Sequence, residues 1–240
     1  MGQAAEDAVL ERLLGEGESI AGRVVAYGGH PDQVVELYGE GGGRCVVVVH
    51  GGYFRPSIDR THARPMAASL ADAGWTVALV EYRRVPGDPA ATMSDLWTAD
   101  GLLRAQALDP AVWVGHSAGG TLVLLRALAD HLPAVRVVAL APLADLAGAV
   151  RDRLGQGAVE EWVGESELSA VDPVALLAVA GAGADVRARV RVLHGESDVT
   201  VPTAQSLAWG RDAEVLAGAH HFDLVDPASP YWPRVVEALG

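Results

Sequence analysis

The stretch that decides the fold is Val112–Leu128, which reads VWVGHSAGGTLVLLRAL. An apolar, strand-like run ends at Ser117, and a helical pattern of leucines follows it. Glycines at positions 115 and 119 flank the serine, which gives the pattern G-x-S-x-G between a strand and a helix. A sharp turn of this kind strains the central residue and leaves no room for neighbouring side chains, which accounts for both glycines. The stretch therefore predicts a Ser117 hydroxyl exposed at a helix N-terminus, where the dipole favours developing negative charge.

Strand-like and helical patterns alternate along the rest of the chain. The runs GRVVAYG (22–28) and QVVELYG (33–39) alternate as half-exposed antiparallel strands do, whereas RCVVVVHGG (44–52) is typical of a strand buried on both faces. Five further strands are predicted within 74–83, 111–117, 135–142, 189–195 and 212–218. Helices are predicted at 58–73, 93–108 and 119–131, with a last helix capped by Ser229-Pro230.

This order of elements predicts a single α/β domain over residues 1–240. We expect about eight strands in a mostly parallel sheet with an antiparallel start and helices on both faces. Residues 143–188 interrupt the alternation with short helical pieces, several glycines and Asp172-Pro173. We interpret them as a small helical lid inserted over the carboxyl edge of the sheet.

A serine hydroxyl becomes a good nucleophile only when a positioned base takes its proton, and that base is oriented by an acid. In strand–turn–helix folds of this kind the acid and the base follow the serine in that order. The loop VLHGESDVTVP (192–202) offers Asp198, which we prefer to Glu196 because it directly precedes the next helix start. The loop AGAHHFDLVDP (217–227) offers His221, which we prefer to its neighbour His220.

The tetrahedral oxyanion formed by such a nucleophile needs preorganised N–H donors. We expect one from Ala118, directly after the serine, and the others from HGGYFRP (50–56), where the candidates are the amides of Gly51, Gly52 and Tyr53. His50 is expected to brace that loop through a hydrogen bond. Of the other histidines, structural hydrogen bonds are expected for His116 and His194, and a surface position for His30, His62 and His131.

Composition narrows the classes of partner. The net charge is −13, with acidic residues spread along the chain, which argues against nucleic acid and anionic membranes. All 18 basic residues are arginine, so chemistry on a lysine side chain is excluded. Cys45 is the single cysteine, no apolar run reaches a membrane-spanning length, and no clustered metal-ligand spacing is present. We expect a cytoplasmic protein with a small-molecule substrate and no cofactor or metal; the oligomeric state is not predicted.

Nearly the full chain resembles the α/β-hydrolase superfamily. Within it, HGGYFRP and GHSAGG are similar to hormone-sensitive-lipase-type esterases and serine-dependent kynurenine formamidases. The lipase-type esterases usually carry a third glycine where this chain has Tyr53, and a longer N-terminal cap; a bulky aromatic there is what the formamidases show. The resemblance implies hydrolysis of an aryl formamide such as N-formylkynurenine through a formyl-enzyme on Ser117.

Substrate contacts follow from that hypothesis. Tyr53 would close a formyl-sized acyl site, and an aromatic-lined space would take the leaving group. The candidates for that lining are Phe54, Trp162, Trp209, Tyr231 and Trp232, of which we favour Phe54 and Trp162. The alternative is a carboxylesterase for small acyl esters with the same triad. A thioester hydrolase or acyl transferase, and a non-catalytic binding protein of the same fold, remain open.

Overall fold

The computed structural model describes residues 2–39, 44–181 and 183–240. Its described residues form one sheet of eight strands in the order β1-β2-β4-β3-β5-β6-β7-β8. The strand bounds are β1 Arg23–Ala26, β2 Val34–Tyr38, β3 Cys45–Val49, β4 Thr76–Val80, β5 Pro110–His116, β6 Arg136–Leu140, β7 Val190–Gly195 and β8 Glu214–Leu216. β2 pairs antiparallel with β1 and β4, and every other pair is parallel. The predicted mostly parallel sheet with an antiparallel start is confirmed.

Helices cover both faces of this sheet. Their bounds are α1 Gln3–Glu18, α2 Arg64–Asp72, α3 Pro89–Ala105, α4 Ala118–Leu128, α5 Leu146–Arg151, α6 Ala158–Val163, α7 Pro173–Val179, α8 Gly183–Arg189, α9 Ala204–Trp209 and α10 Trp232–Leu239. Short 3₁₀ turns lie at Arg60–Ala63, Leu154–Gln156, Leu168–Ala170 and His221–Leu224. Side chains of α1, α2 and α10 pack on one face, and those of α3 and α4 pack on the other.

The valine run of β3 shows why helices cover both faces of the sheet. Side chains alternate across a strand, so Val47 and Val49 join the cluster under α3 and α4, whereas Val46 and Val48 join the cluster under α1 and α2. All four are at most 2% exposed. A run without polar alternation is therefore what a central parallel strand requires.

Residues 143–188 form α5 to α8 between β6 and β7; residue 182 lies outside the described residues. Two of these helices pack into the layer of helices beside the sheet. α7 and α8 pack against α4, and Leu177 and Val186 belong to the same core as the sheet. These two helices therefore extend the helical layer that flanks the sheet. The assignment of the segment as a lid stays a prediction.

Several element boundaries differ from the sequence-based expectation, the starts of α10 and α3 among them. α10 begins at Trp232 with Pro233 in its first turn, two to three residues after the predicted Ser229-Pro230 cap. The Ser229 hydroxyl instead donates to Asp223 and accepts from the Tyr231 amide, so it closes a turn before the helix. α3 begins at Pro89, four residues before the predicted start.

The N-terminal helix α1 packs firmly against the sheet layer. Leu13 is fully buried, and a Cβ on Gly17 would lie 2.1 Å from the Thr61 carbonyl oxygen, so helix and 3₁₀ turn are in backbone contact. Arg12 forms an ion pair with Asp226 near α10. Of the helices in the described ranges, none combines the length and apolar character needed to cross a membrane.

Two helical glycines give a matched test of the packing around Ser117. Gly119→Ala would place a methyl group 2.2 Å from the Val49 carbonyl oxygen, and we expect overpacking to lower the free energy of unfolding by about 1–3 kcal/mol. Gly101→Ala adds a methyl group with no atom within 4 Å at an exposed position of α3, and alanine should raise that free energy by about 0.5–1 kcal/mol. Urea unfolding measures both changes. If Gly119→Ala left the free energy of unfolding unchanged, that result would contradict the close approach of the α4 backbone to β3.

Candidate active site

Ser117 occupies the turn between β5 and α4 with φ 55° and ψ −121°, a conformation that is strained for any residue with a side chain. The flanking glycines let backbones meet there. A Cβ on Gly115 would lie 2.2 Å from the Gly119 carbonyl oxygen, and one on Gly119 would be 2.2 Å from that of Val49. The structure thus gives a physical reason for both glycines of G-x-S-x-G.

Asp198 and His221 meet at the carboxyl edge of the sheet. Asp198 lies in the loop after β7, and His221 begins the 3₁₀ turn after β8. His221 Nδ1 lies 2.7 Å from Asp198 Oδ2, and both side chains are at most 2% exposed. Because Nδ1 is engaged by the carboxylate, Nε2 is the ring nitrogen left for a proton transfer with Ser117. Ser117 and His221 line the same cavity.

The competing acid and base residues point elsewhere. Glu196 accepts a hydrogen bond from the Gly218 amide at 3.1 Å on the exposed side of its loop. The His220 ring lies 3.5 Å from Asp223, within its own turn. The structure therefore brings Asp198 and His221 together and leaves the two alternatives apart from them.

Asp198 is held as an anion by several donors. Its Oδ1 accepts from the amides of Thr200 and Val201, at 2.9 and 2.7 Å, and its Oδ2 lies 3.2 Å from His194 Nε2. Burial alone would raise the pKa of Asp198, but the charge of His221 and these hydrogen bonds outweigh burial and hold the pKa well below its usual range. His194 is itself fixed by Ser206, 2.6 Å from its Nδ1, which agrees with the structural role expected for it.

His116 supports the base from behind. Its Nε2 donates to the His221 carbonyl oxygen at 3.0 Å, and the two rings pack with centroids 4.4 Å apart. Burial and the neighbouring imidazole lower the pKa of His116 well below its ordinary value, so this ring stays neutral. The backbone of His221 is thereby positioned by the residue that precedes Ser117.

The loop after β3 runs directly beside the serine. A Cβ on Gly51 would lie 3.0 Å from the Ser117 Cβ, and the next three residues have positive φ angles of 127°, 54° and 56°. Within the described ranges, the backbone N–H groups of Gly51, Gly52, Tyr53 and Ala118 donate to no protein acceptor outside regular secondary structure. This loop and the start of α4 therefore bring the predicted oxyanion donors close to Ser117.

A buried polar cluster braces this loop from below. His50 Nδ1 donates to the Gly51 carbonyl oxygen at 2.7 Å, as the sequence analysis expected for His50, and the Tyr82 hydroxyl donates to the His50 carbonyl oxygen at 2.7 Å. Glu81 lies 3.1 Å from His50 Nε2 and pairs with Arg84. Burial opposes ionisation of Glu81, but the charges and hydrogen bonds of His50 and Arg84 prevail, so its pKa lies far below the usual value.

A small cavity of about 80 Å³ opens above Ser117. Gly51, Gly52 and Tyr53 form one wall, and the side of α1 forms another. The remaining wall residues belong to α1, to the end of β5 and to three loops: Gln3, Asp7, Leu10, Ile58, His62, His116, Thr200, His221 and Phe222. Since one water needs roughly 10–15 Å³ of such space, the cavity accommodates only a small group.

The aromatic residues expected to bind substrate are placed differently. Tyr53 lines the cavity, but Phe54 and Trp162 stack on each other with centroids 4.1 Å apart and an angle of 8°. They are 4% and 1% exposed and belong to the hydrophobic core, so the structure does not place them against a substrate at Ser117. Their stacking joins the loop after β3 to α6, which is a packing role.

His62 is a correction to the sequence analysis, which expected it at the surface. It is 3% exposed and lines the cavity, because α1 packs over its 3₁₀ turn. Burial lowers the pKa of His62 to about 3, which keeps the ring neutral at ordinary pH.

Two buried carboxylates near the site were missed by the sequence reasoning. Glu81 follows β4, and the adjacent arginines were the available signal for a buried ion pair. Glu6 is 1% exposed on α1, and its side chain bonds to the backbone of His221. The acidic, amphipathic N-terminus carried no local signal for this contact, which depends on where α1 packs. Among the described residues, no group of three His, Cys, Asp or Glu side chains could hold a metal ion.

Residues 46–214 match the sequence model of a family described as having the alpha/beta hydrolase fold. The chain belongs to this family. The match spans the strands β3 to β7 and the loops that carry Ser117 and Asp198, and the expected resemblance to the α/β-hydrolase superfamily is confirmed.

Among curated proteins, this chain is similar to the carboxylesterase/phospholipase LipF of Mycobacterium tuberculosis. The two are 36% identical over 115 residues, which make up 45% of this chain and 31% of LipF. The matched part therefore spans about a third of the length of that curated relative.

Solved structures of esterases and lipases share the fold of this chain. An esterase/lipase from an uncultured bacterium has a TM-score of 0.71 at 17% identity, covering 97% of this chain and 88% of that one. Esterase B of Lactobacillus rhamnosis, solved with a tributyrin phosphonate inhibitor, has a TM-score of 0.70 at 16% identity, with 99% and 90% covered. A hormone-sensitive lipase from a metagenome library reaches 0.63 at 19% identity, with 95% and 86% covered. At these identities the likeness concerns the fold.

The buried cluster of His50, Glu81 and Arg84 beside the loop after β3 predicts that the stability of the fold depends on pH. Glu81→Gln should lower the free energy of unfolding by about 3–5 kcal/mol near pH 7, because the buried Arg84 loses its nearer carboxylate partner and, of the described ones, keeps Asp32 at 3.6 Å. The folded-state pKa of Glu81 lies below its unfolded value of roughly 4.3, so its stabilisation is present above that pH and is lost as the pH falls towards the folded value. The difference in the free energy of unfolding between wild type and Glu81→Gln should therefore decrease by about 1 kcal/mol from pH 5 to pH 3.5.

Urea unfolding at several pH values measures this difference. Glu161→Gln is the control, because it removes the exposed pair of Glu161 with Arg55 and should change stability by less than about 1 kcal/mol at any pH. A gap between wild type and Glu81→Gln that stays constant down to pH 3.5 would show that Glu81 is not the ionised member of the cluster.

Proposed function

We propose that this chain is a serine hydrolase that cleaves esters of small carboxylic acids through an acyl-enzyme on Ser117. The observation that carries the proposal is the strained Ser117, which lines one small cavity with His221, the partner of Asp198, and with Gly51, Gly52 and Tyr53 of the loop after β3. Membership in the α/β-hydrolase family and the esterases among its relatives support it.

In the proposed reaction, Ser117 Oγ attacks the ester carbonyl carbon while His221 Nε2 takes the hydroxyl proton. Asp198 holds the imidazole in the tautomer with Nδ1–H and stabilises the imidazolium that forms. The amides of Gly51, Gly52, Tyr53 and Ala118 are the candidate donors to the oxyanion. His221 then returns the proton to the leaving alcohol, and water enters by the same steps in reverse to release the acid.

The ester takes precedence over the aryl formamide that the sequence resemblance favoured. Named relatives are a carboxylesterase/phospholipase, esterases and lipases, and the resemblance to formamidases depended chiefly on Tyr53. The aromatic pair proposed for an aryl leaving group, Phe54 and Trp162, is packed into the core. The aryl formamide is the second candidate, favoured by the small cavity that Tyr53 helps to close.

Two further proposals follow from the sequence and are consistent with this assignment. The substrate is a small molecule, because the cavity above Ser117 is small and the chain is strongly acidic, which disfavours nucleic acid. A reducing, cytoplasmic location is proposed from Cys45, the single cysteine, which is buried in β3 with its pKa raised to about 11 by burial.

The triad assignment predicts a clear order of variants. Ser117→Ala and His221→Ala should lower kcat for p-nitrophenyl acetate by on the order of 10⁴-fold or more, since triad residues act as a unit. His220→Ala should lower it less than about tenfold, because its ring contacts Asp223 instead of Asp198. Labelling by a fluorophosphonate probe should require Ser117. Near-normal turnover by Ser117→Ala would overturn the proposed mechanism, and a larger loss in His220→Ala than in His221→Ala would reassign the base.

The cavity predicts a preference for short acyl groups. Across p-nitrophenyl acetate, butyrate and octanoate, kcat/KM should fall by about 100-fold or more, because the longer chains do not fit beside Tyr53 and Leu10. Tyr53→Ala should raise the octanoate-to-acetate ratio about tenfold. N-formylkynurenine is measured beside them. A kcat/KM for the formamide orders of magnitude above that of acetate would favour the formamidase, and a preference for octanoate would contradict the small acyl site.

A further inference from the structure

Glu6 is the most buried carboxylate of the N-terminal helix. It lies in the first turn of α1, where Gln3, Ala4, Asp7 and Ala8 are exposed, and yet Glu6 itself is only 1% exposed. A carboxylate removed from water is costly unless hydrogen bonds replace the lost hydration. Its burial therefore requires specific partners.

Those partners belong to the loop after β7, which carries Asp198, and to the turn after β8, which begins with His221. Oε1 accepts from the backbone N–H of Val199 at 3.0 Å and from that of His221 at 3.2 Å. Oε2 accepts from the Thr200 hydroxyl at 2.5 Å. All three partners are neutral, so the geometry of these hydrogen bonds, and not an ion pair, keeps Glu6 in place.

Oε1 of Glu6 thus connects the loop that carries Asp198 to the turn that begins with His221. Val199 and Thr200 directly follow Asp198, whose own Oδ1 holds the amides of Thr200 and Val201. The segment that donates hydrogen bonds to Glu6 is therefore the same segment that orients the Asp198 carboxylate. Glu6 also accepts a hydrogen bond from the backbone N–H of His221, the histidine whose ring contacts the Asp198 carboxylate.

We propose that Glu6 is a positioning residue that sets the Asp198–His221 geometry from outside the sheet. The proposal rests on the proposed function of Ser117, Asp198 and His221. In it, Glu6 touches neither the substrate nor the nucleophile; it fixes the separation and orientation of the two loops. A misplacement of about 1 Å in such a geometry can lower the rate on the order of 100-fold.

A purely structural role for Glu6 makes a different prediction. α1 has other anchors, namely the fully buried Leu13 and the ion pair of Arg12 with Asp226. If Glu6 only attached α1, loss of another anchor would affect catalysis as much as loss of Glu6. Arg12→Ala is therefore the matched control, since it removes a polar anchor of the same helix whose partner, Asp226, lies beyond the His221–Leu224 turn.

The experiment compares wild type, Glu6→Ala, Glu6→Gln and Arg12→Ala with p-nitrophenyl acetate at saturating and limiting concentrations. We expect Glu6→Ala to lower kcat about 10- to 100-fold with KM changed less than about threefold. Glu6→Gln, which keeps one carbonyl oxygen, should lie between Glu6→Ala and wild type. Arg12→Ala should stay within about twofold of the wild-type kcat even where its Tm is lowered. The low-field NMR resonance of the His221 Nδ1 proton should shift or broaden in the Glu6 variants only.

The outcomes separate the two proposals. If wild type neither hydrolyses esters nor reacts with a fluorophosphonate, the proposed function fails before Glu6 is tested. If wild type is active and the kcat of Glu6→Ala falls no further than that of Arg12→Ala, or only KM changes, the positioning role is refuted. Should Glu6→Ala not fold, Glu6→Gln and its NMR signal decide the question in the same way.

Discussion

The rest of the site depends on the close approach of three backbones around Ser117. The strained conformation of this residue costs on the order of 1–3 kcal/mol and persists only because the surroundings over-determine it. The Ser117 amide donates to the Leu140 carbonyl oxygen of β6 at 2.8 Å, while the start of α4 contacts the end of β3. Since any Cβ at Gly119 would collide with β3, the glycine decides how near the oxyanion loop can come to the serine.

Burial of negative charge is the second constraint, and the site satisfies it in three different ways. Asp198 is stabilised by imidazoles and amides, and Glu81 by an arginine and His50. Glu6 has only neutral donors among the contacts described for it above. Asp198 and Glu6 both hold the loop after β7, and Glu81 contacts His50 at the start of the loop after β3. In a chain with a net charge of −13, buried carboxylates are thus used to connect loops that share no secondary structure.

Local sequence predicted the elements whose signals are local. The valine run of β3, the glycines around Ser117, and the loops after β7 and β8 each carry a pattern that requires only neighbouring residues, and the sheet and the meeting of Asp198 with His221 followed from them. Phe54, Trp162 and His62 were misplaced because exposure depends on tertiary packing. An aromatic residue beside a catalytic loop has the same local signature whether it faces the substrate or stacks in the core.

The position of α1 shows where this limit matters for function. Helical periodicity indicates an apolar face, but it does not indicate which surface that face covers. Here Leu13 anchors α1 beside the 3₁₀ turn that carries His62, and this single placement puts Leu10 on the cavity wall and Glu6 against both catalytic loops. The family match begins at residue 46, so α1 lies outside it. The sheet and its loops therefore supply the shared chemistry, while the shape of the acyl site and the alignment of the proposed triad depend on a helix that the family pattern does not specify.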